Sequence, residues 1–160
     1  MKLAEIIENT GARILKGNPE AEIEAISCDS RKVGRGCAFL AVKGSAADGH
    51  DFIDKALEAG AEAVIDADRR ALALCADNFY GHPSGKLKLA GITGTNGKTT
   101  TVTLLYNLFR GLGYECGLLS TIANYVGVER LETDNTTSDP ITINSLLARM
   151  VEAGCEYCFM

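Results

Sequence analysis

The fold is decided by the stretch Gly91–Thr101, which reads G-I-T-G-T-N-G-K-T-T-T. Small residues in such a loop let successive backbone N–H groups converge on an anion, while Lys98 adds a point charge and Thr99 a hydroxyl suited to magnesium. The pattern predicts a loop that holds the phosphates of a nucleotide. The predicted binding residues, with Lys98 as the catalytic residue and Thr99 as the metal ligand, are Gly94, Thr95, Asn96, Gly97, Lys98, Thr99 and Thr100.

The sequence on either side supplies the context that this motif needs. Lys86–Thr93 contains a Leu-Lys-Leu alternation that favours a strand. After the loop, apolar residues recur at i, i+3, i+4 and i+7 and predict one face of a helix: Leu105, Leu108, Phe109 and Leu112. Strand, loop and helix in this order are what a phosphate-binding loop requires.

The loop departs in one detail from the generic pattern G-x-x-x-x-G-K-[ST]. The position five before Gly97 is Ile92, and the glycines stand at Gly91 and Gly94 instead. A glycine-rich turn that binds nothing would not need Lys98 buried at a helix start beside two threonines. We therefore expect a variant loop that binds nucleotide phosphate.

Composition indicates a globular protein of one or two domains. Of 160 residues, 46% are hydrophobic and 23% charged, and no apolar run reaches the length of a membrane span. The net charge of −5 argues against nucleic-acid binding as the main role. The first residues, M-K-L-A-E-I-I-E-N-T, are too acidic for a signal peptide, so we expect a cytosolic protein without membrane insertion.

The six cysteines lie mostly in apolar segments, as reduced thiols do in a reducing compartment. Cys155 and Cys158 form C-x-x-C, but no second pair accompanies them and the chain has two histidines. We therefore do not expect a zinc site.

The N-terminal half predicts a small α/β domain, residues 1–84, with a largely parallel sheet. A buried strand at Cys37–Val42, a helix that closes at Gly60 and a strand at Ala61–Ile65 form a βαβ unit. The helix face consists of Phe52, Ile53, Ala56 and Leu57. The other predicted elements are a short helix with Leu3, Ile6 and Ile7, a strand with Ile23 and Ile26, and a helix at Ala71–Tyr80.

The run Gly81–Gly85, G-H-P-S-G, breaks all periodicity and predicts the domain boundary. The second domain, residues 86–160, is predicted to be a truncated, mostly parallel α/β domain around the phosphate loop. Its later elements are a strand at Cys116–Ile122, a hairpin at Tyr125–Arg130, a helix capped by Asp139 and Pro140, and a central strand at Cys155–Met160. Because that strand comes last, we expect the chain to be cut in mid-domain.

Three other polar groups are candidate ligand sites. Asp29–Arg31 reads equally well as a capped turn or as a ligand site, and Ser45–His50 has the same ambiguity. Asn135–Thr137 are ordinary loop residues unless they share an edge of the sheet with the phosphate loop. His50 and His82 are expected to be surface residues without a carboxylate partner.

The combination of G-I-T-G-T-N-G-K-T-T with N-T-T-S-D-P some forty residues later resembles the Mur ligases, the ATP-dependent amide-forming enzymes of peptidoglycan synthesis. The resemblance is strongest to the members that add the third amino acid. It extends to D-S-R-K-V-G-R-G-C-A-F-L-A-V-K-G, A-D-G-H-D-F-I and F-Y-G-H-P-S, and the family loop G-T-N-G-K-T-T explains the displaced glycine.

The resemblance implies site residues at the matching positions. Cys28 and Ser30 would lie at the uridine nucleotide, and Ser45, Ala46 and Ala47 would form the next contact loop, where the family often has larger polar residues at the first two positions. Asn135, Thr136 and Thr137 would lie near the muramoyl peptide and the γ-phosphate. The implied ligands are ATP, Mg²⁺, a UDP-N-acetylmuramoyl dipeptide and a diamino acid, meso-diaminopimelate or L-lysine, and the implied parent enzyme is a monomer.

Two other interpretations remain open at this point. The chain could be a non-catalytic nucleotide-binding module, or part of another member of the superfamily, such as a cyanophycin or folylpolyglutamate synthetase. The family takes further catalytic groups and a third domain from later sequence, so we do not expect this chain alone to ligate anything. The D-S-R segment at Asp29–Arg31 argues against the folate enzyme, which begins with its ATPase domain.

Overall fold

The chain divides between Gly81 and His82 into two units, each with its own sheet. The computed structural model describes residues 1–44, 47–131 and 139–160. The point of division falls within the predicted boundary Gly81–Gly85.

In the first unit, one sheet has the strand order β1-β4-β3-β2, in which β2, β3 and β4 are parallel and β1 runs antiparallel to β4. The elements in chain order are α1 (Leu3–Ile7), β1 (Arg13–Lys16), β2 (Ala25–Ser27), β3 (Cys37–Val42), α2 (Ile53–Glu58), β4 (Ala63–Ala67) and α3 (Arg69–Phe79).

The core of this unit is built on β3, whose sequence Cys-Ala-Phe-Leu-Ala-Val is an unbroken apolar run. Such a run is expected of a parallel strand that is covered on both faces. Phe39 packs with Ala56 of α2 and Val64 of β4 on one face, and α3 packs against β3 and β4. Asn78 of α3 donates to the carbonyl of Ile6 at 3.0 Å, which joins α3 to α1.

In the second unit, one sheet has the order β5-β9-β6-β7-β8. The pairs β5–β9 and β9–β6 are parallel, and β7 and β8 form an antiparallel hairpin at the edge. The elements in chain order are β5 (Lys88–Ala90), α4 (Lys98–Gly111), β6 (Cys116–Leu118), β7 (Asn124–Val126), β8 (Glu129–Leu131), α5 (Pro140–Glu152) and β9 (Tyr157–Phe159).

Helices cover both faces of this second sheet. Val102 and Tyr106 of α4 pack with Leu118 and Phe159. The alternate residues of the strands, including Cys158, pack instead against α5. The unit is therefore a three-layer α/β arrangement, and the mixed α/β fold class predicted from the sequence is confirmed.

Local chemistry fixes several helix ends where the sequence predicted them. The Asp139 carboxylate accepts from the N–H groups of Ile141 and Thr142, a cap that stabilises α5 by about 1 kcal/mol. Gly60 and Gly113 follow α2 and α4 with φ of 96° and 93°, as left-handed helix ends require.

Two predicted strands have different bounds in the structure. The strand predicted at Ala61–Ile65 begins at Ala63, because the N–H of Ala61 still bonds back to the carbonyl of Ala56 at the end of α2. The strand predicted at Cys116–Ile122 ends at Leu118, because the Ser120 hydroxyl closes a turn by donating to the carbonyl of Ala123. The exposed edge strand β1 had no apolar alternation and was missed.

The predicted core face of α4 is partly wrong. Leu105 and Phe109 pack against the sheet as expected, but Leu108 and Leu112 are 56% and 64% exposed. The buried stripe is instead rotated towards Tyr106, whose hydroxyl donates to the carbonyl of Gly127 at 2.6 Å. Spacing alone could not distinguish the two stripes, because both carry leucines.

Among the helices of the described residues, none has both the length and the apolar character of a membrane span.

We predict that Gly49→Ala destabilises the first unit by about 1–3 kcal/mol. A Cβ at Gly49 would lie 2.6 Å from the backbone nitrogen of Val42 and 2.7 Å from its carbonyl oxygen, and backbone atoms cannot move aside. Urea unfolding measures the change. Gly34→Ala is the control, since a Cβ there meets nothing within 4 Å; equal stability of the two variants would contradict the prediction.

Candidate functional site

The phosphate-loop motif begins where β5 ends, and β9 holds that strand in place. Three backbone hydrogen bonds join the strands. The N–H of Lys88 donates to the carbonyl of Glu156 at 2.9 Å, that of Met160 to the carbonyl of Ala90 at 3.0 Å, and that of Ile92 to the carbonyl of Met160 at 2.7 Å. The loop therefore leaves the carboxyl end of a paired parallel strand, which is where ligands bind in α/β sheets.

Two glycines give the loop its path. Gly94 has φ of 147° and Gly97 has φ of 82°, backbone conformations that residues with a Cβ rarely adopt. Gly97 stands immediately before the first residue of α4. Its carbonyl accepts from the N–H of Thr101, so the preceding N–H groups of the first turn have no partner from the helix ladder.

Lys98 lies at the start of α4, and its ammonium donates to the carbonyl of Gly94, so it is folded over the loop. The expectation that Lys98 is buried is wrong: its side chain is exposed. Exposure leaves the ammonium free to exchange this carbonyl for an anionic ligand. The positive end of the α4 dipole favours an anion at the same place.

Thr99 is half-buried, and its hydroxyl oxygen lies 3.4 Å from the hydroxyl oxygen of Thr121. Thr121 follows β6, whose carboxyl end shares an edge of the sheet with β5. Sequence reasoning missed Thr121, because only the pairing of β6 with β9 brings it to the loop.

A second candidate site lies in the first unit, where a cavity of about 420 Å³ opens beside the turn after β2. This volume falls within the usual range for small-molecule sites. Its lining residues are Cys28, Asp29, Ser30, Arg31, Phe52 and Lys55. The structure thus brings the predicted substrate residues Cys28 and Ser30 together. It adds Phe52, which directly precedes α2, and Lys55 of α2, neither of which sequence reasoning had placed in a site.

Asp29 and Arg31 form a closed ion pair on this turn. The Arg31 Nε and Nη2 atoms donate to the two carboxylate oxygens of Asp29, each at 2.9 Å, and the N–H of Arg31 adds a bond of 3.0 Å. The Arg31 side chain, with its backbone N–H, lowers the pKa of Asp29 to about 2. The segment is therefore a capped turn, and it also lines the cavity. Its use as a ligand site stays a prediction.

His50 has carboxylate partners, contrary to the prediction. Its Nδ1 lies 2.6 Å from Asp48 Oδ1 and its Nε2 lies 3.0 Å from Asp66 Oδ1. Asp66 also accepts from Arg13 of β1 at 3.3 Å. The hydrogen bonds to Asp48 and then Asp66 raise the pKa of His50. Asp48 was near enough in sequence to be noticed, whereas Asp66 arrives only through the register of β4.

The remaining predicted site residues are not part of these two sites as described. Ala47 is exposed, and its carbonyl accepts from the N–H of Gly44 at 2.9 Å in a turn; it does not line the described cavity. Five others lie outside the described residues: Ser45, Ala46, Asn135, Thr136 and Thr137.

Comparison with known families gives two adjoining matches. The model described as "Mur ligase family, catalytic domain" matches residues 22–95, and that described as "Mur ligase middle domain" matches residues 92–160. The two matches overlap at residues 92–95, within the phosphate-loop motif.

Two curated relatives carry the name UDP-N-acetylmuramoyl-L-alanyl-D-glutamate--2,6-diaminopimelate ligase. The protein of Parabacteroides distasonis is 46% identical over 177 aligned positions, which cover 100% of this chain and 36% of the relative. That of Phocaeicola vulgatus is 45% identical, with 100% and 37% covered. The chain thus spans little more than a third of the length of these relatives.

A solved structure of a ligase with the same name superposes with a TM-score of 0.79 at 22% identity, over 99% of this chain and 35% of that chain. A MurF structure from Acinetobacter baumannii gives a TM-score of 0.67 at 22% identity, over the same shares of the two chains. At these identities, the likeness concerns the fold.

We predict that His50 titrates with a pKa above its ordinary value of 6.5 and that Asp48→Asn lowers this pKa more than Asp66→Asn, because the bond to Asp48 has the larger effect. A raised pKa means that protonated His50 stabilises the folded state below the unfolded pKa. This stabilisation is lost as the pH rises through the folded pKa. NMR titration of the imidazole Cε1–H signal measures the pKa, with His50→Gln to assign it. A pKa at or below 6.5 would contradict the geometry.

Proposed function

The chain belongs to the Mur ligase family, and from this premise we propose that it supplies nucleotide-binding and substrate-binding parts of an ATP-dependent ligase of peptidoglycan synthesis. The proposed enzyme adds the third amino acid to UDP-N-acetylmuramoyl-L-alanyl-D-glutamate. The names of the relatives favour 2,6-diaminopimelate over L-lysine as that amino acid. Residues 1–84 would bind the UDP-linked substrate, and residues 86–160 would belong to the ATP-binding domain.

One observation carries the proposal. An exposed ammonium, two glycines with positive φ and the open N-terminus of a helix of 14 residues lie together in or next to one loop at the end of a parallel strand. Each of these features favours an anion, and together they suit the β- and γ-phosphates of ATP. A loop that only connected a strand to a helix would need none of this cationic character.

In the proposed reaction, the terminal carboxylate of the substrate attacks the γ-phosphate of ATP and forms an acyl phosphate with release of ADP. The amine of the incoming amino acid then attacks the acyl carbon and displaces phosphate, which forms the amide. Lys98 and the N–H groups of residues 94–100 would stabilise the charge that gathers on the phosphate oxygens during transfer.

The residues of the loop also fit the magnesium ion that such a reaction uses. Thr99 offers a hydroxyl oxygen at the helix start, and the hydroxyl of Thr121 lies 3.4 Å from it; magnesium prefers oxygen ligands of this kind. Thr99 would hold the ion, which supplies charge neutralisation to the phosphates when it is bound. Thr121 would orient the Thr99 hydroxyl.

The cavity of the first unit suits the uridine end of the substrate. Cys28 and Ser30 line it, as the family resemblance implies, and Phe52 adds an apolar aromatic wall. Ala47 and the predicted contact residues Ser45 and Ala46 are proposed to contact the same substrate, and Asn135, Thr136 and Thr137 are proposed to contact the muramoyl peptide near the γ-phosphate.

The two alternative functions are less well supported. A non-catalytic nucleotide-binding module and a cyanophycin or folylpolyglutamate synthetase would each account for the phosphate loop. The relatives that cover the whole chain at 45–46% identity, however, are named as diaminopimelate ligases. The ligase therefore remains our proposal.

We predict that Lys98→Ala, made in the complete ligase, lowers the rate of amide formation by at least about a hundredfold, because one preorganised cation at the transferring phosphoryl group is lost. Release of ADP coupled to formation of the tripeptide product measures the rate. Lys86→Ala is the matched control, since it removes a lysine of the same unit outside the loop and should retain activity. Full activity of Lys98→Ala would remove the loop from the mechanism.

We predict that Ser30→Ala weakens binding of the UDP-N-acetylmuramoyl dipeptide by about fivefold, the effect of losing one hydroxyl hydrogen bond of about 1 kcal/mol. Titration calorimetry measures the affinity. Binding of ATP to the same variant is the internal control and should not change, because Ser30 belongs to the other unit. If the affinity for the dipeptide is unchanged, Ser30 does not contact it.

A further inference from the structure

Two cations and one carboxylate line the cavity of the first unit. The cations are Arg31 and Lys55, and the carboxylate is Asp29. One positive charge is therefore left over. An anionic ligand in the cavity would bind to whichever of the two cations is not neutralised by Asp29.

Arg31 is already committed to Asp29. Both ends of its guanidinium fork that face the carboxylate are used, at 2.9 Å each, and this bidentate geometry is the strongest that the pair can adopt. The Asp29 carboxylate thus occupies the Nε and Nη2 atoms of Arg31 and offsets its charge. To bind a phosphate, Arg31 would have to give up this pair or share its outer edge.

Lys55 has no such partner. Among the described residues, its ammonium forms no ion pair. Its Nζ lies over the ring of Phe52, 5.5 Å from the ring centroid. A cation–π contact at an exposed site is weak, because water competes for the ammonium. The ammonium can therefore exchange the ring for an anion at little cost.

The arrangement of Phe52 and Lys55 also gives the cavity two kinds of wall. The residues are three apart at the start of α2 and lie on one side of it, so that an aromatic ring and an ammonium face the same space. A nucleotide has a planar base and a charged phosphate group, and it matches such a pair of walls. The turn with Ser30 closes the cavity with polar groups.

We propose that Lys55 is the residue that binds the diphosphate of a uridine nucleotide in this cavity, while Arg31 holds the turn in shape through Asp29. The inference rests on the proposed function, since it takes the ligand to be the UDP part of the substrate. It adds to that function the assignment of the phosphate-binding cation, which neither the motif nor the family match supplies.

The test compares the affinities of uridine, UMP and UDP for the chain by titration calorimetry at 0.15 M salt, where charges more than about 8 Å apart are largely screened. We expect Lys55→Gln to lower the affinity for UDP at least tenfold and to leave that for uridine within twofold. Lys55→Arg should restore most of the UDP affinity. Lys32→Gln is the matched control, because it removes one exposed positive charge next to the turn and outside the cavity lining; its UDP affinity should stay within twofold. Circular dichroism checks that the variants fold.

The outcomes separate the inference from the proposed function. If the unaltered chain binds UDP more tightly than uridine and Lys55→Gln keeps the same ratio of affinities, Lys55 is not the diphosphate ligand, while the uridine site stands. If Lys32→Gln loses as much UDP affinity as Lys55→Gln, the effect is one of general charge, and the assignment is overturned. If the unaltered chain binds neither UDP nor the UDP-linked dipeptide, the proposed use of the cavity fails together with the inference.

Discussion

The pairing of β5 with β9 is the constraint on which the second unit depends. β5 is followed in sequence by a loop and a helix, and it pairs with β9, which comes from the far end of the unit. Hydrogen bonds from Ile92 to Met160 and from Met160 to Ala90 continue this pairing to the start of the phosphate loop. The position of the loop is thus set by contacts that span about seventy residues of sequence.

This pairing also explains why the residues of the candidate phosphate site lie at one edge of the second sheet. β5, β9 and β6 are parallel, so their carboxyl ends meet at the same edge. The loop after β5 carries Lys98 and Thr99, and the turn after β6 carries Thr121. α4 covers one face of the sheet and α5 the other, which leaves the edge as the accessible place where a phosphate can meet the loop.

Several charged groups of the first unit pair with one another, and the pair at the cavity leaves one lining cation unpaired. Asp29 and Arg31 neutralise each other within one turn, and His50 is held between Asp48 and Asp66. Pairs of this kind hold backbone segments in place more than they stabilise the fold, because exposed ion pairs contribute little free energy. Among the residues that line the cavity, the cation outside these pairs is the ammonium of Lys55 beside Phe52.

Much of this arrangement was determined by the sequence alone, where the cause is local. The glycines at 94 and 97 impose the loop, Asp139 and Pro140 start α5, and Gly127 turns the hairpin, because each acts through its own backbone or the next few residues. Only the tertiary structure decided which stripe of α4 is buried, that Asp66 reaches His50, and that Lys55 and Thr121 join the candidate sites. These results depend on strand register and sheet order, which bring together residues that are far apart in the chain. A local sequence pattern does not predict such contacts.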